Sequence, residues 1–91
     1  MNYIQELQSE LSKKIDVEKE LLDLYTLLIL VKGLNCTLED IHDAWSIWQS
    51  TTMPKHKSLI PFSKLSTEVQ ELDREYMIAV TEVALKKNKL K

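Results

Sequence analysis

The stretch LLDLYTLLILV, residues 21–31, restricts this chain more than any other. Only Asp23 and Thr26 are polar in it. Wound at about 100° per residue, its apolar side chains point in nearly every direction, and a helix apolar all round must be covered all round. It is shorter than the roughly 20 residues needed to span a bilayer, so the cover has to be protein. A chain of 91 residues has two ways to supply it. Its other helices can wrap this one, or a second copy can cover the face they leave. The second route predicts a homo-oligomer, most simply a dimer.

The rest of the chain is read around that helix. One glycine and two prolines are too few turn residues for an all-β fold. A hydrophobic share of 44% is too high for a disordered chain. The expectation is an all-α protein: a compact bundle of about four helices, with a long ordered loop between the third and the fourth.

The first helix is expected over residues 3–14, with Tyr3, Ile4, Leu7 and Leu11 on one side. Its stripe is narrow and alone would be marginal. Residues 1–15 are therefore an N-terminal amphipathic helix and a candidate dimerisation arm, ahead of a helical domain at 16–91. The second helix is expected from an N-cap at Asp16 to Lys32, stopped by Gly33. The third begins at Thr37, where TLED has the form of a capping box. Leu38, Ile41, Trp45 and Trp48 make its core stripe, with His42 and Gln49 at the edge and Ile47 opposite.

Residues 49–66 have no period, and Pro54 and Pro61 exclude helix around them. Leu59, Ile60 and Phe62 are the expected anchors of this loop. Long loops in small domains are often functional. The fourth helix starts at Ser66 or Thr67 and carries Val69, Leu72, Tyr76, Val80 and Val83 inward. Asp73 and Met77 flank that stripe, and Arg74 turns further out. The basic end, Lys86 to Lys91, suits a solvated helix C-terminus.

Several function classes fall away. A net charge of −2 argues against broad electrostatic binding of DNA or RNA. The single cysteine, Cys36, has no disulfide partner in the chain and no neighbouring pattern of a thiol nucleophile. The start MNYIQELQSE lacks the basic region and apolar run of a signal peptide. These features predict a cytoplasmic protein without a membrane segment. No glycine-rich phosphate loop, no HExxH and no recognisable Ser–His–Asp set is present, so neither an enzyme nor a metal or cofactor is expected.

What remains is HDAWSIWQSTTMPKHKSLIPF, residues 42–62. Trp45 and Trp48 are either core residues or the floor of a groove on which a flat ring stacks. His42 either pairs with a core carboxylate such as Asp73 or donates to a ligand from the groove's rim. Lys55, His56 and Lys57 are either solvated loop or contacts for a phosphate. Arg74 is the further cation on that side.

These residues, with LLDLYTLLILVKG, TLEDIHDAWSIWQ and HKSLIPFSKLSTEVQELDREYMIAV, resemble a family of small phage and prophage proteins related to the RyR domain, the ryanodine receptor repeat. The likeness runs from Asp23 to Val83. It rests on His42 and Trp45, on His56, Leu59, Ile60, Phe62 and Leu65, and on Asp73. Lys57 departs from it, standing where that family usually has proline. The resemblance implies a nucleotide-binding protein, in the phage setting a sponge that sequesters a cyclic or modified nucleotide used as a host immune signal. The other class consistent with these residues is a helical interaction module, for example an inhibitor of a host protein.

Overall fold

In the computed structural model, which describes residues 1–89, the chain is all-α. Its helices are α1 (Tyr3–Ser12), α2 (Lys19–Val31), α3 (Leu38–Thr52), α4 (Thr67–Glu71) and α5 (Arg74–Lys89). Short 3-10 turns lie at Gly33–Asn35 and Phe62–Lys64. Leu90 and Lys91, the end of the basic tail, lie outside the described residues.

Local chemistry starts and stops the helices. Asn2 and Gln5 form a reciprocal capping box at the head of α1. Thr37 and Asp40 do the same at α3: the Asp40 N–H donates to Thr37 Oγ1 at 3.2 Å and the Thr37 N–H to Asp40 Oδ2 at 2.9 Å. Ser66 Oγ accepts from the Val69 N–H at 3.3 Å and caps α4. Gly33 ends α2 with a φ of 55°, a left-handed conformation that suits glycine. The expected N-cap at Asp16 does not form; α2 begins three residues later behind Glu18, which makes no side-chain cap bond.

The hydrophobic core joins all the long helices. Leu7 and Leu11 of α1, Leu21, Tyr25 and Ile29 of α2, Ile41 and Ala44 of α3, and Ala79, Val80, Val83 and Ala84 of α5 are buried together. α2 packs on α1, α3 and α5. Thr26, buried in the middle of α2, donates its hydroxyl to the Leu22 carbonyl at 2.7 Å, which settles the one polar group there. Lys14–Glu82 and Lys86–Glu10 ion pairs tie α1 to α5 at the surface. The chain's own helices wrap most of α2 but leave Leu27, Val31 and the following Leu34 exposed.

The expected fourth helix is broken. At Leu72 and Asp73 the backbone tightens to i→i−3 hydrogen bonds, Leu72 N–H to Val69 O and Asp73 N–H to Gln70 O. The break shifts the phase of the two halves, so Leu72 is 68% exposed instead of continuing the inward stripe. α3 is also rotated relative to expectation. His42 and Gln49, placed at the edge of its stripe, are buried, while Trp45 and Trp48 are half-buried. The loop is ordered by turns and by Gln70, whose amide donates to the Phe62 and Leu65 carbonyls at 2.9 and 3.3 Å. Phe62 and Leu59 are half-buried; the Ile60 side chain is exposed, and Ile60 fastens the loop through its backbone instead.

Candidate functional site: an aromatic cleft with acidic walls

The rotation of α3 sets the site. His42 is 3% exposed, and its Nε2 lies 2.7 Å from the Ile60 carbonyl oxygen. A carbonyl only accepts, so Nε2 carries a proton and donates it there. That single bond pins the loop to α3. The His42 ring stacks on Trp45 (centroids 5.6 Å apart, 26° between planes) and meets Phe62 at 6.1 Å. Trp45 also makes a T-shaped contact with His56, with ring centroids 5.2 Å apart. His56 Nδ1 accepts from the Ser58 N–H at 3.0 Å, which leaves the His56 Nε2 as the protonated nitrogen and a free donor.

Beside this stack lies a cleft of about 610 Å³. α2 and α5 supply Tyr25 and Tyr76, whose rings lie 5.6 Å apart. α3 and the loop supply His42, Trp45, Trp48 and His56. Four carboxylates complete the lining: Asp16 and Glu18 from the turn before α2, and Asp73 and Glu75 from the break before α5 and its first turn. Among the described residues no lysine or arginine lines it.

Several polar groups lining the cleft have no partner among the described residues, and two of them belong to side chains drawn back from the surface, Tyr25 and Asp73. The Tyr25 hydroxyl and the Asp73 carboxylate make no hydrogen bond to any described residue, yet no sealed side-chain nitrogen or oxygen lacks one. Both therefore open on the cleft they line, although Tyr25 is only 1% exposed. Burial pushes the Tyr25 hydroxyl far above its usual range, with the nearby Asp73 charge as the next cause. Burial also raises Asp73, and the opposing influence of His42 is the weaker one. Of the two alternatives for His42, the pairing with Asp73 is not made; its Nε2 donates to the Ile60 carbonyl instead.

An acid raised by burial has a stability signature. Its contribution is fully present below the unfolded pKa of about 3.9 and is lost as pH rises through the higher folded value. The groups around Asp73 are His42 on α3, Tyr25 on α2, and Glu75 and Tyr76 on α5. Asp73→Asn is expected to melt at a higher temperature than the parent at neutral pH, and the gap should close as pH falls below the ordinary aspartate range. Thermal unfolding across pH checks this; a variant that melts lower at neutral pH would show that Asp73 has a protein partner.

The structure brings four of the sequence-predicted residues together, His42, Trp45, Trp48 and His56. It does not bring in the other three. Lys55 and Lys57 flank His56 but are exposed and outside the lining. Arg74 turns outward and grips Glu71 through Nε at 2.5 Å and Nη2 at 3.0 Å. Tyr25, Tyr76, Asp16, Glu18 and Glu75 are the lining residues that sequence reasoning missed as site residues. The available signal was the three-residue spacing of Asp73 and Tyr76, which puts both on one side of a helix. Among the described residues no three His, Cys, Asp or Glu side chains converge as a metal site requires. The cleft's carboxylates are thus spread around its walls rather than focused on a point.

Fold and site together define a small all-α module with one aromatic, acid-walled cleft. The chain belongs to the family described as Domain of unknown function (DUF7701), whose model matches residues 1–85 and so takes in α1 and the first three quarters of α5. Comparison with curated proteins and with solved structures gave no match.

Proposed function

We propose that this protein is a non-enzymatic ligand-binding module and that the cleft is where its ligand sits. The observation that carries this is the pair of unpartnered polar groups, Tyr25 hydroxyl and Asp73 carboxylate, in a concave site walled by aromatic rings. Polar groups withdrawn from water without a partner are costly, and such groups are retained where a ligand completes them. Both histidines have one ring nitrogen tied to the backbone. The only thiol, Cys36, is buried, and burial pushes it up to about 11, away from nucleophilic use at neutral pH.

A nucleotide, the ligand class implied by the RyR-like resemblance, fits in one orientation. Its base would stack against Trp48 while its phosphates stay outside, toward Lys55 and Lys57; four carboxylates repel a phosphate placed within. The sponge reading needs this base-first geometry. Thermal shift with nucleosides, nucleotides, cyclic dinucleotides, ADP-ribose and small amines tests the module itself. A ligand at 100 times its dissociation constant adds about 2.7 kcal/mol. Tyr25→Phe keeps the ring and removes only the unpartnered hydroxyl. It is expected to leave the free protein's melting temperature nearly unchanged and to shrink the shift given by the best ligand. An equal shift in parent and variant would place that ligand elsewhere.

A second reading, an interaction module, is favoured by Leu27, Val31 and Leu34, exposed at spacings of four and three. The occupant that the apolar helix implies is a second copy. Light scattering at micromolar concentration should give a dimer mass, and Leu27→Glu with Val31→Glu a monomer. A parent that is strictly monomeric removes self-association.

A further inference from the structure

The cleft also indicates the charge of what it binds. We infer that its ligand is an organic cation, a guanidinium group carried on a short aliphatic stem. This rests on the cleft being the ligand site and adds the ligand's chemistry.

The first argument is an imbalance of charge. Asp16, Glu18, Asp73 and Glu75 line the cleft with no lysine or arginine among them. Six ion pairs lie elsewhere on the described chain, and none uses a cleft carboxylate. Asp73 is the sharpest case, half-buried and without a donor. A carboxylate drawn out of water is made good by a partner of opposite charge, and none of the described residues supplies one.

The second argument is the nature of the walls. Trp48 lines the cleft with no ring packed on it among the described residues, and an aromatic face attracts a cation through the ring quadrupole. Guanidinium stacks on such a face as well, and its planar fork matches a carboxylate. The Tyr25 hydroxyl, buried and unpartnered, can accept from the same group. The third argument concerns shape. The carboxylates do not converge, which disfavours a small metal ion and favours an extended cation held between ring faces and spread acids.

Calorimetric titration separates charge from shape by pairing each cation with its neutral urea isostere. Butylguanidinium against butylurea represents a free small molecule. N-acetyl-arginine methylamide against the citrulline analogue represents a side chain presented by a polypeptide. At least one guanidinium compound should bind saturably, and its urea counterpart at least about 10-fold more weakly. Asp73→Asn should weaken the guanidinium at least about 10-fold while leaving the urea unchanged. Binding of the arginine compound alone identifies a basic protein segment as the source, and binding of both a free cation.

Equal binding of guanidinium and urea overturns the inference, as does no heat from either guanidinium up to millimolar concentration. Adenosine monophosphate is the third arm. If it binds, guanidinium does not, and Tyr25→Phe weakens it, the cleft remains the site and the charge assignment fails. If it binds unaffected by Tyr25→Phe, both fail.

Discussion

Leu11→Ala is expected to lower the stability of the chain by about 2–5 kcal/mol, the usual cost of emptying a fully buried leucine site. Leu11 is completely buried, and it touches the same core as Tyr25, Ile29 and Val83. In a domain of this size 1 kcal/mol moves the melting temperature by about 4–8 °C, so the drop would be at least about 8 °C. The effect reports on more than one side chain. A helix that served only as an arm for a partner could lose Leu11 with little consequence for the rest. Here α1 packs on α2 and α5, and the family match, residues 1–85, takes it in. Chemical denaturation should therefore show one cooperative transition at lower denaturant. Two transitions, with the later one at the parent's midpoint, would mean that α1 folds apart from the bundle.

His42→Ala is the second substitution with a large expected effect. It removes the hydrogen bond to the Ile60 carbonyl, the stack on Trp45 and the contact with Phe62. An acceptor left without its donor costs about 1–3 kcal/mol, and the emptied ring volume adds to it, for about 2–4 kcal/mol in all. The consequence should be concentrated in the loop, because His42 is what fastens residues 53–66 to α3. Amide exchange in that loop should accelerate more than exchange in α2 or α5. His56→Ala should do much less, since His56 holds only the nearby Ser58 amide and one edge of Trp45. Uniform acceleration across the whole molecule in His42→Ala would mean that the residue is ordinary core and has no special hold on the loop.

The two expectations differ in how far they are legible in the sequence. The all-α class is legible from the near absence of glycine and proline and from the periodic stripes, and the α3 start is legible in TLED. The broken fourth helix is not. ELDREY contains neither glycine nor proline, and only the structure shows the tightened turn that sends Leu72 to the cleft's rim and presents Asp73 to the cleft. The Trp pair is legible as a choice between core and groove, and the half-burial of both rings lies between the two. An angular shift of α3 decides it, burying His42 and Gln49, and such shifts depend on which neighbours the helix meets. The charge of the cleft is least legible. Its acids come from two segments more than fifty residues apart, while the two lysines of the conspicuous KHK patch are exposed and only His56 joins the lining.

Trp45 and Trp48 are the only tryptophans in the chain, so the two indole N–H signals of a nitrogen-15 correlation spectrum watch the cleft directly. Titration with the guanidinium compound that binds, butylguanidinium or N-acetyl-arginine methylamide, is predicted to move both signals saturably, with its urea counterpart leaving them nearly in place, and with Asp73→Asn greatly reducing the movement. Indole signals that stay fixed under the cation, or that follow the neutral isostere equally, would contradict the view that this cleft is a binding site for a positively charged ligand.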